Sequence, residues 1–574
     1  MPLVRINIPS KANLPDLWHE IEDHFPHPST RPGQREALSV IRYGLTNDDF
    51  DNIIIQAPTG IGKSAIGMTI QSMFKDGYVL TPTLGLTEQY RRDFGHIMAE
   101  VKGRSNFPCW IQAGTADGAP CYRKKGNCPH IKEEDPCPYY AQRYAAEKHR
   151  LVLSNPSYMF RVQQGSEAFD TREVALIDEA HNTESFFLNL MDIVITNADW
   201  HLVHGGGSAL PFHYHPHDWV KDITDLHEGA KRGLEIAVDA DDDIKMKKFR
   251  TLASKTATLV QLLQDPDNCV CEGSTAQAQF KPIRVSQFVP DYLETLAKKR
   301  VFMSATILDI ETFLNNLGIA DQKNMYVNIT KSPFPQSNFN VHYSPCGPMS
   351  YGRRKHTIPK QVKAIGGILN HYHDKRGVVL PHSHAIRRDI VQGLKDAGFG
   401  DRILTHAEDA RSRKIALEKF QTELHKPWVL ISTYVTEGFD FKGEMAEFLV
   451  VCKIPYLYTP DPQIRQRMEQ DEHSWRDKHE GTPKCPYEMP SKYTNGMCGS
   501  FMCTQPCQSW AKLQTTNRLV QMMGRIVRTP DDVGHMFILD RAWDRFLKNH
   551  GTLLPLWFKN GLKGPPNWLK KFLP

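Results

Sequence analysis

Asn52-Ile53-Ile54-Ile55-Gln56-Ala57-Pro58-Thr59-Gly60-Ile61-Gly62-Lys63-Ser64 is the stretch from which the rest of the chain can be read. Its opening residues are apolar and β-branched, as in a strand buried on both faces. Two glycines two positions apart then let backbone N–H groups close around phosphate oxygens. The helix-compatible stretch 65–74 follows and adds the positive potential of a helix N-terminus. Strand, glycine loop and helix in that order make a phosphate-binding loop, in which Thr59, Gly60, Ile61 and Gly62 cradle ATP. Lys63 reaches the β- and γ-phosphates, and Ser64 ligates Mg²⁺.

Two further elements answer this loop. Glu173-Val174-Ala175-Leu176-Ile177 reads as a second buried strand, ending in Asp178-Glu179-Ala180-His181. An acidic pair at a strand end suits Mg²⁺ coordination by Asp178, with Glu179 positioning or deprotonating the attacking water. Alone such a tetrapeptide is a weak signal; 115 positions after Lys63 it becomes a strong one. The third element is Gln521-Met522-Met523-Gly524-Arg525-Ile526-Val527-Arg528. Its two arginines, three apart, read as one face of a helix aimed at a γ-phosphate, where charge develops during transfer.

In this order and spacing the three elements resemble helicase motifs I, II and VI of superfamily 2. Arg31-Pro32-Gly33-Gln34 resembles an adenine-reading Q-type motif. Thr81-Pro82-Thr83 with Gln89 resembles motif Ia, Ser304-Ala305-Thr306 motif III, and Thr436-Glu437-Gly438-Phe439-Asp440-Phe441 motif V, which adds Gly438 and Asp440 to the ATP-binding set. The resemblance runs from residue 31 to 528. A cysteine-bearing insertion between motifs Ia and II narrows it to the XPD/DinG-like iron–sulfur helicases. That resemblance implies an ATP hydrolase that binds single-stranded and forked duplex DNA, moves 5′ to 3′ and separates duplexes. An RNA or R-loop remodelling ATPase, or a redox-sensing nucleic-acid-binding module, is the alternative.

Cys109, Cys121, Cys128 and Cys137 are separated by 11, 6 and 8 residues. Four thiolates can hold a [4Fe–4S] cluster or tetrahedral Zn²⁺, and the wide, uneven loops suit the cluster better; the resemblance implies the cluster. Arg123, Lys124, Lys125 and Lys132, with Tyr122, Tyr139 and Tyr140 among them, fit a wedge that tracks phosphates and stacks bases. Cys485, Cys498, Cys503 and Cys507 are spaced by 12, 4 and 3 residues, closer to a four-sulfur Zn²⁺ site. Four separate thiols is the competing reading. His213, His215 and His217 with Asp218 read as a solvated loop, and His371, His373 and Asp374 as the approach to a strand.

The fold expected is α/β: two RecA-like doubly wound parallel-sheet lobes, with an iron–sulfur insertion and a helical arch insertion in the first. Residues 1–104, 147–185 and 290–330 form the first lobe, interrupted by the cluster module at 105–146 and the arch at 186–289. Residues 331–574 form the second, carrying an insertion at 456–510. The chain has 574 residues, 12 cysteines and a net charge of +5, compatible with nucleic acid without demonstrating it. No apolar run reaches the ~20 residues of a membrane span, and the first eleven residues do not read as a signal peptide. The expectation is a monomeric cytoplasmic protein, nucleoid-associated in a bacterium or in host cytoplasm for a virus, with DNA repair among its roles.

Overall fold

A computed structural model describes residues 3–9, 16–47, 50–111, 113–119, 121, 128–132, 134–165, 169–433, 445–478 and 509–574. Leu3–Ile8 (β1), Asn52–Gln56 (β2), Gly77–Leu80 (β3), Ala99–Glu100 (β4), Leu151–Ser154 (β5) and Arg172–Asp178 (β6) are laid down first. An excursion then yields Ile193–Thr196 (β7), Cys269–Gly273 (β8) and Gln277–Pro282 (β9). The chain returns as Ala297–Ser304 (β10) and Asn324–Ile329 (β11). Apart from the excursion, these strands form one sheet in the order β1-β11-β2-β10-β6-β3-β5-β4, every neighbouring pair parallel.

Side chains on successive strand residues point to opposite faces, and both faces are covered. Ile54, Tyr78, Leu80, Val152, Ala175, Ile177 and Phe302 enter one core, and Ile53, Ile55, Val79, Leu153, Leu176, Val301 and Met303 the other. Register then places the functional loops side by side. Gln56 stands opposite Ser304, and Met303 opposite Asp178, so the chain leaves β2, β6 and β10 at one edge of the sheet.

The second sheet is built likewise from Phe339–Gly347 (β12), Gly377–Leu380 (β13), Ile403–Leu404 (β14), Val429–Ile431 (β15), Phe448–Val451 (β16), Gly534–Asp540 (β17) and Leu562–Lys563 (β18). Its order is β14-β15-β13-β16-β17-β12-β18, again all parallel.

The excursion holds two long helices, Pro216–Asp239 and Asp243–Leu262. Ile223, Leu226 and Ala230 of the first and Leu252 and Leu259 of the second are buried in one core. It also holds what its sequence did not announce: a three-stranded antiparallel sheet, β7-β9-β8. The β8–β9 turn is closed by Ser274, whose amide donates to the Gln277 carbonyl at 2.8 Å. Strands of four to six residues beside two long helical patterns carry too little periodicity to stand out.

In the second lobe His535 is packed beside His342, ring nitrogens 3.1 Å apart. Burial, then the charges of His342, Lys563 and His371, push its pKa down to about 4 from an ordinary 6.5. The unfolded chain therefore binds this proton more readily, so the stabilisation is present above pH 6.5 and is lost as pH falls toward 4. At pH 5 the loss should be about 2 kcal/mol. Urea midpoints at pH 7 and pH 5 check it: His535→Phe should lessen the difference, and an unchanged difference would contradict the assignment.

Candidate nucleotide site and strand surface

The turn after β2 is shaped by glycine. Gly60 and Gly62 have φ of 81° and 84°, in the left-handed region that favours glycine, and Gly62 caps the helix Lys63–Ser72. Gly60 also admits a close neighbour: the Phe334 ring, from the segment joining the lobes, lies where a Cβ would stand. Arg31 and Gln34 brace the loop from the other side. The Gln34 side-chain amide donates to the carbonyls of Ile61 and Gly62 at 2.7 and 3.3 Å, its Oε1 accepts from the Arg31 amide, and the Arg31 guanidinium donates to the Gly60 carbonyl.

Asp178 ends β6 almost wholly buried. Its Oδ2 accepts from the Tyr90 hydroxyl at 2.9 Å and its Oδ1 from the Glu179 amide at 2.8 Å. Burial, then the adjacent Glu179 carboxylate, raises its pKa to about 6, against the pull of Lys63. A buried carboxylate with a second, half-exposed one next to it suits a divalent cation. Glu179 has φ 49°, a strained value for this residue type that turns its side chain out of the strand direction. Burial alone would raise its pKa, but His181, Lys63, Arg528 and Arg525 outweigh that and hold it low. One carboxylate is thus flanked by a lysine from the first lobe and two arginines from the second.

The helix Ser509–Met523 carries Gln521, whose side-chain nitrogen meets His181 Nε2 and lies 3.3 Å from the Thr306 hydroxyl. His181 Nδ1 in turn lies 2.8 Å from the Ser304 hydroxyl. Four residues of three motifs therefore form one hydrogen-bonded relay across the lobes. Arg525 and Arg528 do not share a helical face. The helix ends at Met523, and the amides of Arg525 and Ile526 turn back to the carbonyls of Met522 and Met523 at 3.3 Å. Gly524 weakens the helix there and Pro530 bars its continuation. Asp532 holds the turn, accepting from the Arg528 and Thr529 amides at 2.7 Å. Gly438 and Asp440 lie outside the described residues.

Cys121, Cys128 and Cys137 are buried and Cys109 half-buried, all four as free thiols packed with Phe107, Ile131, Tyr139 and Tyr140. Burial, and then the proximity of Cys121, Cys137 and Cys109, pushes the Cys128 thiol up. The Arg104 guanidinium donates to Cys121 Sγ at 3.3 Å and to the Tyr140 hydroxyl at 3.1 Å. All four thiols line one apolar pocket and one is hydrogen-bonded by a cation, so their chemistry suits an iron–sulfur cluster while their placement does not bring them together around one. Among the described residues no three His, Cys, Asp or Glu side chains meet closely enough to hold a metal ion. Tyr139 and Tyr140 are core residues, 2% and 6% exposed, so neither can stack a base. Trp110, half exposed against His130, presents the module's aromatic face instead. Tyr122, Arg123, Lys124, Lys125, Cys485, Cys498, Cys503 and Cys507 lie outside the described residues. His213 and His217 pair with Asp222 and Asp267 at 2.8 and 3.0 Å, and His371 stacks on Trp568.

Several residues the sequence left unmarked belong to this surface. Tyr90 joins Asp178 to the helix Leu84–Phe94, which Thr83 caps and which exposes Leu84 at its start. On the second lobe, β12, β17, β16 and β13 are neighbours, so the loops after β12, β13 and β16 open along one edge. Tyr351, 85% exposed, has the Arg354 guanidinium 4.9 Å from its ring centre. His382, at φ 72°, is held low by burial and then by the charges of Lys453 and Arg518. An exposed aromatic beside clustered cations is the chemistry that stacks a base and takes its phosphates.

Residues 368–561 match the helicase C-terminal domain family, and residues 27–196 match the type III restriction enzyme res subunit family. A probable ATP-dependent helicase of Methanocaldococcus jannaschii is 27% identical over 209 residues, covering 30% of this chain and 32% of that protein. The ATP-dependent DNA helicase DinG of Photobacterium profundum is 22% identical over 343 residues, 57% of this chain and 44% of that one. The chain thus spans less than half the length of either curated relative. A solved XPD helicase superposes with a TM-score of 0.59 at 15% identity, over 94% of this chain and all of that one. Xpd4 of S. tokodaii gives 0.54 at 13% identity, over 93% and 99%. Among the described residues no helix is long and apolar enough to cross a membrane. The two parallel-sheet lobes have the fold of these XPD structures, and with both family matches in chain order the chain is similar to the XPD/DinG-like helicases of superfamily 2.

Proposed function

We propose that the chain hydrolyses ATP between its two lobes and uses the cycle to move along single-stranded DNA, 5′ to 3′, separating duplexes it meets. The carrying observation is Glu179, a half-exposed carboxylate held low by His181 and by the charges of Lys63 of one lobe and Arg525 and Arg528 of the other. A γ-phosphate seated there would touch all three cations, so its charge would draw the lobes together and its departure would release them. Asp178 and Ser64 would hold Mg²⁺, which neutralises phosphate charge. Glu179, kept ionised by its cationic neighbours, accepts a hydrogen bond from the attacking water. A carboxylate held below its ordinary range is a weak base, so it orients the water more than it deprotonates it early.

Movement at the cleft has two routes outward. The relay from Gln521 through His181 to Ser304 links the lobes, and Tyr90 ties Asp178 to the helix that exposes Leu84. Leu84 on one lobe, with Tyr351, Arg354 and Lys453 on the other, offers a surface for a strand. Cys109, Cys121, Cys128 and Cys137 would hold the [4Fe–4S] cluster, whose chemistry there is to tie the wedge loops together.

ATP turnover with and without single-stranded DNA tests the reading. Wild type should be strongly stimulated, and Lys63→Ala should lose turnover roughly 10³-fold or more while its thermal unfolding is unchanged. Wild-type turnover in Lys63→Ala would sink the assignment. Stimulation by RNA and not by DNA would make the chain an RNA remodeller.

A further inference from the structure

The second lobe is fastened to the first by a buried ionic knot whose partners lie outside the phosphate loop. The helix Pro462–Lys478 belongs to the segment after β16. Its Arg467, only 1% exposed, reaches into the first lobe. The guanidinium donates to the Ile283 carbonyl at 2.9 Å and to Asn316 Oδ1 at 2.7 Å, and pairs with the Glu184 carboxylate at 3.2 Å. Glu184 is itself buried and accepts from Asn316 at 3.0 Å and from the Trp510 indole N–H at 2.9 Å. The Trp510 ring lies beneath the same guanidinium, 5.1 Å from its carbon. Around the knot, Gln463 and Gln470 donate to the carbonyls of Pro282 and Asp267 at 2.6 and 2.9 Å, and Arg284 pairs with Asp471.

Two features of this arrangement matter together. Glu184 follows Glu179 by five positions, in the helix Thr183–Leu190 that leaves the acidic strand end. Trp510 stands at the start of the helix whose other end carries Gln521 and leads into Arg525 and Arg528. Both ends of the helix Ser509–Met523 are therefore tied to the single segment 178–184, one end by Trp510 on Glu184 and the other by Gln521 on His181. Among the described residues none of the Glu184 contacts involves the phosphate loop, so this end can stay fixed through the nucleotide cycle while the other end moves.

We infer that Glu184, Arg467 and Trp510 are positioning residues for ATP hydrolysis: a fixed pivot that sets where Arg525 and Arg528 enter the cleft. The inference rests on the proposed ATP hydrolysis and adds to it the place about which the second lobe turns. Breaking one member of a buried pair leaves an uncompensated charge, so the helix should shift at its anchored end. A shift of about 1 Å at the arginines can cost on the order of 10²-fold in turnover. Nucleotide affinity should hardly change, because Lys63, Gln34 and Arg31 are on the other lobe.

The experiment measures strand-stimulated kcat, and binding of a fluorescent ATP analogue, for Glu184→Gln, Arg467→Met and Trp510→Phe. Trp510→Phe keeps an aromatic ring under Arg467, loses the indole N–H with part of the ring, and leaves no buried charge unpaired, so it keeps the test open should a charge variant fail to fold. The expected result is a fall in kcat of about 10²-fold for the charge variants and about threefold for Trp510→Phe, with analogue binding within about twofold of wild type. Combining Trp510→Phe with Arg528→Ala distinguishes pivot from general support. A pivot acting through motif VI makes the double variant no slower than Arg528→Ala alone. Wild-type kcat in Trp510→Phe, a loss that multiplies with Arg528→Ala, or weakened analogue binding would overturn the inference. A wild type without strand-stimulated turnover would instead remove the reading on which it rests.

Discussion

Glu179→Gln is expected to bind ATP with Mg²⁺ about as well as wild type and to hydrolyse it roughly 10²- to 10⁴-fold more slowly. The substitution keeps the size of the side chain and removes its charge. That charge is what His181, Lys63, Arg528 and Arg525 stabilise, and what gives water an acceptor facing the γ-phosphate. On the proposed reading nucleotide binding rests elsewhere, on the glycine turn, Lys63 and the brace that Arg31 and Gln34 form on it. Losing a carboxylate beside the γ-phosphate also removes a like-charge repulsion, so the nucleotide-bound state should be long-lived. Single-turnover hydrolysis and equilibrium binding of the same preparation separate the two effects. Lost binding with normal single-turnover chemistry would reverse the roles given to Asp178 and Glu179.

The second large effect is modular. Cys128→Ser should lose its iron and lower unwinding roughly tenfold or more while keeping part of its strand-stimulated ATP turnover, because bound metal orders the segment that supplies its ligands. Cys128 packs with Cys121 and Cys137 in the same apolar core as Tyr139 and Tyr140, whereas Lys63, Glu179 and Arg528 lie in the interlobe cleft. Wild-type protein purified without air should be brown. Colourless, zinc-loaded protein, or a Cys128→Ser variant that unwinds normally, would contradict the modular account.

What the sequence made legible follows from how local each signal is. The turn at Gly60–Gly62 and the strand ending at Asp178 are short patterns whose neighbours fix their meaning, and the parallel register of β2, β10 and β6 brings them to one edge. Arg525 and Arg528 were legible as a pair but not in their geometry. Three-residue spacing fits a helical face, yet Gly524 and Pro530 end the helix before either arginine. Tyr139 and Tyr140 show the opposite failure: aromatic residues among basic ones look like a stacking surface, and only the fold reveals that they are core. Contacts distant in sequence left no trace at all. Trp510 and Glu184 are 326 positions apart, and nothing in either segment names the other. Tyr90 lies between: it falls one helical turn after Thr87, on the buried face of its helix, a signal available but too common to single out.

The most direct test of the whole account compares duplexes with a 5′ or a 3′ single-stranded DNA tail in ATP-driven strand separation, with wild type and Lys63→Ala side by side. The account predicts that wild type separates the 5′-tailed duplex, leaves the 3′-tailed one largely paired, and does nothing without ATP, while Lys63→Ala separates neither. Equal separation of both substrates, a preference for the 3′ tail, or separation by Lys63→Ala would contradict it.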